Sequence, residues 1–140
     1  MQLDKVQPKN KRQLKQLINY AFKHNIYDLN FIDTSEITDM SLLFSNCMHN
    51  FDVSSWYVSN VTNMGYMFYH CKNFNCDLSN WDVSKVKNMN YMFYNCKNFN
   101  YDLSDWDISN MTRWKNIFCG CDKITIPNWY KKLYIVKNKI

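Results

Sequence analysis

The chain has 140 residues and a formal net charge of +5, a length that suits one domain. Hydrophobic residues make up 46% and aromatics 17%, enough for a continuous core, yet no run of 18 apolar residues occurs, which argues against a transmembrane helix. The charge sits at the ends, on Lys9, Lys11, Arg12 and Lys15 and on Lys131, Lys132, Lys137 and Lys139, and a nucleic-acid partner, which wants a continuous basic stripe, is disfavoured.

In chain order, the opening stretch MQLDKVQPKNKRQ has no apolar core of a signal peptide. The expectation is a chain that stays inside its cell or in a virion, unless a secretion signal has been removed. Lys9 to His24 is predicted to be a helix, because Leu14, Leu17, Ile18, Ala21 and Phe22 recur at helical spacing among Lys, Arg and Gln. Residues 1–27 are read as an N-terminal capping helix that covers the open end of the core.

From Asp28 the sequence repeats with a period of 24–25 residues, in units 28–51, 52–76, 77–101 and 102–126. DLSNWDVSKVKNMNYMFYNCKNFNY follows DVSSWYVSNVTNMGYMFYHCKNFNC and precedes DLSDWDISNMTRWKNIFCGCDKITI. Such a period predicts stacked units that share one core, since no unit can bury its apolar face alone. The repeated positions form ladders: Trp56, Trp81 and Trp106; Met64, Met89 and Trp114; Phe68, Phe93 and Phe118; Cys71, Cys96 and Cys121. Spacing such as Met89, Met92, Phe93 and Cys96 is one face of a short helix, and Asp77–Val83 reads as a short strand. The predicted fold is therefore an α/β repeat solenoid of the leucine-rich-repeat kind, each unit a short strand, a turn and a short helix or 3₁₀ turn. Residues 127–140 are read as a C-terminal cap built on Trp129, Leu133, Ile135 and Val136, ending in a basic tail.

The pattern C-x-x-F-N-x-D-L-S-x-W-D-V-S-x-V-x-x-M-x-x-M-F-x-x-C, from roughly Asp28 to Ile126, resembles the BspA-like leucine-rich-repeat surface proteins, whose repeat is known from mycoplasma lipoproteins. The lysine-rich start is similar to the helix that commonly precedes the first repeat in that family. The resemblance implies a right-handed solenoid, roles in adhesion or protein binding, and no shared catalytic residues. The chain departs from the pattern where Ile32 replaces the first Trp, Tyr57 the Asp of W-D, and Trp114 a Met.

The cysteine ladder is read as buried thiols, because equivalent side chains in stacked units point the same way rather than at each other. Cys76 and Cys119, off the ladder, are expected to be the exposed ones. The aspartate columns, Asp52, Asp77 and Asp102 with Asp82 and Asp107, are read as turn caps rather than calcium ligands. His24, His49 and His70 are scattered and carry no nucleophile pattern. No metal or cofactor is expected, and the chain is not expected to be an enzyme.

Candidate interaction residues are Tyr66, Tyr69, Tyr91 and Tyr94, which flank the buried stripe, with Ser54, Ser79, Ser104, Asn80 and Asp105 on the polar strand-side surface. Tyrosine columns suit an adhesive strip, although they can equally shield unit edges without any ligand. The expected function is a non-catalytic protein-interaction or adhesion module with an unidentified protein partner. A structural assembly component, virion-associated for example and self-associating through coil ends or tyrosine columns, is the alternative. An enzyme or metal protein of unrecognised type is the remaining one.

Overall fold

The computed structural model describes residues 4–138, with side chains described as far as Val136. The expected basic-tail residue Lys139 and the side chain of Lys137 lie outside that range, as does the very start of the N-terminal cap. Two α-helices are present among the described residues, α1 over Lys11–Lys23 and α2 over Asn128–Asn138. The sequence dictates the ends of α1. The side chain of Asn10 accepts from Gln13 N at 2.9 Å, and Gln13 Oε1 accepts from Lys9 N at 2.8 Å. The helix ends at Lys23 with His24 as its C-cap, and just beyond it Asn25, with φ of 58°, lets Ile26 N reach back to Ala21 O at 2.8 Å.

The predicted α/β leucine-rich-repeat solenoid, right-handed and built of strand–turn–helix units, is not what forms. Both helices lie outside residues 28–126. The described residues contain no sheet, and parallel pairing is reduced to isolated bridges such as Asp39 to Asn63, Asn63 to Asn88 and Asn88 to Arg113. The units are chains of turns.

The reason is visible in the stretch expected to be a helix. Met67 N bonds to Met64 O, Tyr69 N to Tyr66 O and Cys71 N to Phe68 O, at 3.2, 3.2 and 3.0 Å. The N–H groups between them leave the unit: Met64, Tyr66, Phe68 and His70 donate to Asn88, Asn90, Met92 and Tyr94 carbonyls at 2.9, 2.8, 2.9 and 2.8 Å. An α-helix would use those donors internally. Every fourth residue is also left-handed, with φ of 57° at Tyr66 and 59° at His70, 56° at Tyr91 and 59° at Asn95. That conformation costs a non-glycine residue local strain and cannot continue a right-handed helix. Met64, Met67, Phe68 and Cys71 still face inward, so the apolar spacing of one helix face is met without a helix. The strand expected over Asp77–Val83 is likewise replaced by turns, one closed inside it by Trp81 N to Leu78 O at 3.0 Å and the next at its end by Val86 N to Val83 O at 2.9 Å.

Equivalent side chains of successive units lie on one another in the core. Phe44, Phe68, Phe93 and Phe118 stack with centroids 5.8, 5.4 and 5.7 Å apart. Phe51, Phe74 and Phe99 make a second row, 4.8 and 5.8 Å apart. Each tryptophan indole donates to a carbonyl of the preceding unit: Trp56 to Leu29, Trp81 to Val53 and Trp106 to Leu78, at 2.9, 3.1 and 3.0 Å. Buried aromatics need such a partner for their polar end. Trp129 extends the same row, bonding to Leu103 O at 2.9 Å. Among the described residues, no buried side-chain nitrogen or oxygen lacks a partner, as a native interior requires.

Candidate interaction surface

The tyrosines expected at the surface come together. Tyr66 stacks on Tyr91 at 4.9 Å and Tyr69 on Tyr94 at 5.2 Å, each pair 16° from parallel. Tyr66 meets Tyr69 at 5.3 Å, and Tyr91 meets Tyr94 at 5.6 Å, tilted. The result is a block of four rings at the surface, Tyr66 exposed and the other three half-buried. His70 lies edge-on to Tyr69 at 4.2 Å, and Lys115 Nζ stands 5.9 Å above the Tyr91 ring. Because the rings stack face to face along the unit direction, a partner would meet mainly ring edges and hydroxyls.

The serine column is used differently. Ser54, Ser79 and Ser104 N–H groups donate to Asp52, Asp77 and Asp102 Oδ1 at 2.9, 3.0 and 2.9 Å. These are Asx turns, which settle the local backbone. The same device recurs at Asp82 with Ser84 and at Asp107 with Ser109, 3.1 and 3.0 Å. Hydrogen bonds from Ser79 and Ser84 hold the Asp77 and Asp82 carboxyls below their ordinary range. At Asp52 burial pulls the other way, and the bonds from Ser54, Asn30 and Cys76 outweigh it. Asn80 and Asp105 are exposed beside this column. An open groove of about 440 Å³ runs along it, lined by Tyr27, Asp28, Asp52, Ser54, Cys76 and Tyr101 among others. A second of about 320 Å³ continues past Asp102, Ser104 and Pro127.

All six cysteines are free. Cys71, Cys96 and Cys121 thiols donate to the Phe44, Phe68 and Phe93 carbonyls at 2.9, 3.0 and 2.8 Å. Burial pushes the Cys71 and Cys121 thiols up to about 12, and Cys96 upward as well. Cys119 is exposed, but Cys76 is not: it is 6% exposed, beside Phe74, with its thiol 3.5 Å from Asp52 Oδ1. The expectation for Cys76 fails because the chain alternates in and out here, so that Phe74, Cys76 and Leu78 all turn inward.

The three histidines remain apart in their partners. His24 Nδ1 meets Tyr20 O at 2.8 Å, His49 lies 5.0 Å from the Phe22 and Tyr27 rings, and His70 is 3.5 Å from Asn95 Nδ2. Among the described residues no three His, Cys, Asp or Glu side chains are placed to hold a metal. No described helix is long and apolar enough to cross a membrane.

Sequence reasoning missed the asparagines. Asn73 and Asn98 amides donate to Met48 and Lys72 carbonyls at 2.7 and 3.0 Å, and Asn60 and Asn110 to Ser35 and Ser84 carbonyls at 3.0 and 2.7 Å. Their recurrence at the repeat period was the available signal. Also missed was Lys15, whose ammonium reaches Leu43 O at 2.6 Å.

No curated protein and no solved structure matches the chain. One family model does, described as a Mycoplasma protein of unknown function, DUF285, over residues 12–129. That description carries nothing on adhesion or protein binding, and with no sheet in the units the leucine-rich-repeat solenoid finds no support either. The match takes in most of α1, all four units and the start of α2, and the chain belongs to the DUF285 family.

Proposed function

We propose that the chain is a non-catalytic protein-interaction module, and that within its family it is of the BspA-like surface-protein type in its repeat motif. The observation that carries the reading is the four-tyrosine block, with rings stacked at 4.9 and 5.2 Å at the surface and with His70 and Lys115 beside them. Tyrosine supplies a large contact area at low entropic cost, with a hydroxyl for a polar partner group. The aspartates support the reading from the other side. Their turn-forming bonds give Asp52, Asp77, Asp82, Asp102 and Asp107 a structural role, and the histidines sit with separate neighbours.

The test is affinity capture by the intact chain and by a variant with Tyr66, Tyr69, Tyr91 and Tyr94 all changed to Ser, each checked for fold by near-ultraviolet circular dichroism. A partner held by the intact chain and lost by the folded variant is the expected result. Identical captured sets would show that the tyrosine block is not the binding surface.

A further inference from the structure

The polar ends of the aromatic side chains are treated in two ways. The indoles of Trp56, Trp81, Trp106 and Trp129 each donate to a carbonyl. Among the described residues, the tyrosine hydroxyl with a protein partner is that of Tyr27, on Asn25 Oδ1 at 3.3 Å, and those of Tyr66, Tyr69, Tyr91 and Tyr94 have none. No buried side-chain oxygen lacks a partner, so the half-buried rings of the block hold their hydroxyls at the surface. Lys115 is in the same condition. The ion pairs among the described residues are Lys11 with Asp39 and Lys97 with Asp122, and the exposed Lys115 ammonium stands 5.9 Å above the Tyr91 ring without a carboxylate.

Charge is segregated around the coil. No Asp or Glu occurs between Val58 and Cys71, between Val83 and Cys96, or between Ile108 and Cys121. These are the stretches that carry the block, and they hold Lys85, Lys87, Arg113 and Lys115. Asp52, Asp77, Asp82, Asp102 and Asp107 belong to the Asx turns of the other stretches.

Taking the tyrosine block as a protein-binding surface, we infer that its occupant is a carboxylate-rich segment of a partner protein, met edge-on. Every group that the block offers suits an anion. The edge of an aromatic ring is the positive end of its quadrupole, and the stacks at 4.9 and 5.2 Å turn faces to each other and edges outward. The free phenol hydroxyls donate, and a bond to a carboxylate is stronger than one to a neutral acceptor. Lys115 adds a full positive charge beside Tyr91, and the His70 imidazole, 4.2 Å from Tyr69, adds a ring N–H. With no carboxylate of its own in these stretches, the surface is complementary to acidic side chains and repels basic ones. A nucleic acid fits less well, because it stacks bases on open aromatic faces, and here each ring gives one face to its neighbour.

The experiment is a titration of the full chain with a capped dodecapeptide of alternating Glu and Ser, followed by NMR of the tyrosine rings. Peptides with Gln or Lys in place of Glu, and an oligothymidylate of the same length, are run beside it. The Glu peptide should shift the rings of Tyr66, Tyr69, Tyr91 and Tyr94, and the Gln and Lys peptides should not. Changing all four tyrosines to Phe keeps the stack and removes the hydroxyls, and should weaken binding by about tenfold or more. K115E should do the same, whereas K9E, which alters net charge equally at the far end of the chain, should change it by less than about twofold. Near-ultraviolet circular dichroism checks each fold. No binding, shifts outside the block, equal binding of the Lys or Gln peptide, equal losses in K115E and K9E, or tighter binding of the oligothymidylate would each overturn the inference. If the Glu peptide fails while the four-Ser variant still loses a captured partner, the block binds protein by other chemistry and this inference alone falls. Identical captured sets would remove the binding surface itself.

Discussion

At the N-terminal end of the core, α1 lays Leu14, Ile18 and Ala21, all fully buried, over the first unit, and Lys15 takes a ladder carbonyl. At the C-terminal end, α2 contributes only half-buried Trp129, Tyr130 and Leu133, while Tyr134, Ile135 and Val136 stay 62%, 52% and 60% exposed. Both segments carry apolar residues among lysines, and by composition both are expected to be caps. The difference is periodicity. Apolar positions 14, 17, 18, 21 and 22 fall on one stripe of α1, whereas 133, 134, 135 and 136 run consecutively and therefore spread around α2. A cap needs a stripe as well as composition.

Thiol reactivity should separate interior from end most widely. At pH 8, Cys119 should take up iodoacetamide within minutes as a single mass increment. Cys71, pushed up to about 12 from an ordinary 9.0 by burial, should react about a thousandfold more slowly on thiolate population alone. Two or more rapid increments in the native chain would show that the ladder opens.

Next in size is the tryptophan row. Trp81→Ala should cost about 3–5 kcal/mol in urea unfolding, because Trp81 is 4% exposed and bonded to Val53 O. Trp129→Ala removes the same kind of bond from a half-buried ring and should cost about half as much. Equal losses would erase the distinction between the middle and the C-terminal end.

Lys15→Met removes the donor to Leu43 O. Its expected cost is about 1 kcal/mol, reduced from a buried charged bond by solvent. Lys132→Met, at an exposed position of α2, should stay within about 0.5 kcal/mol. A larger loss at Lys132 would mean that α2 closes its end as firmly as α1 does.

The smallest effect concerns the Asx turns. Folding lowers the Asp77 and Asp82 carboxyls below their ordinary 3.8, chiefly through the Ser79 and Ser84 hydroxyls. The stability they contribute is therefore present above that pH and lost as pH falls through the lower folded values. Thermal unfolding should show a decline between about pH 4 and 2, and Asp77→Asn should flatten it by under about 0.5 kcal/mol. No change in the slope would make these bonds neutral to stability.

The sequence by itself determined the repeat period, most of the side chains that face inward and a helix near the start, expected over Lys9 to His24 and formed over Lys11–Lys23. Period and burial follow from apolar residues recurring at the same place, and α1 follows from a stripe and its caps; both are written in local spacing. Only the tertiary structure decided what the backbone does between those anchors. Met64, Met67, Phe68 and Cys71 would occupy the same face of a helix. It is the N–H of Tyr66 reaching Asn90 O, and its φ of 57°, that make turns instead. Cys76 went inward for a related reason: its neighbours Phe74 and Leu78 were claimed by the core. The closure of the last unit lies outside the repeat: Trp129 and Tyr130 of α2 stand 5.9 and 5.3 Å from Phe118, which is 4% exposed. Each earlier unit's donors are satisfied by carbonyls about 25 residues further along the chain, and what covers the last unit depends on where α2 lands.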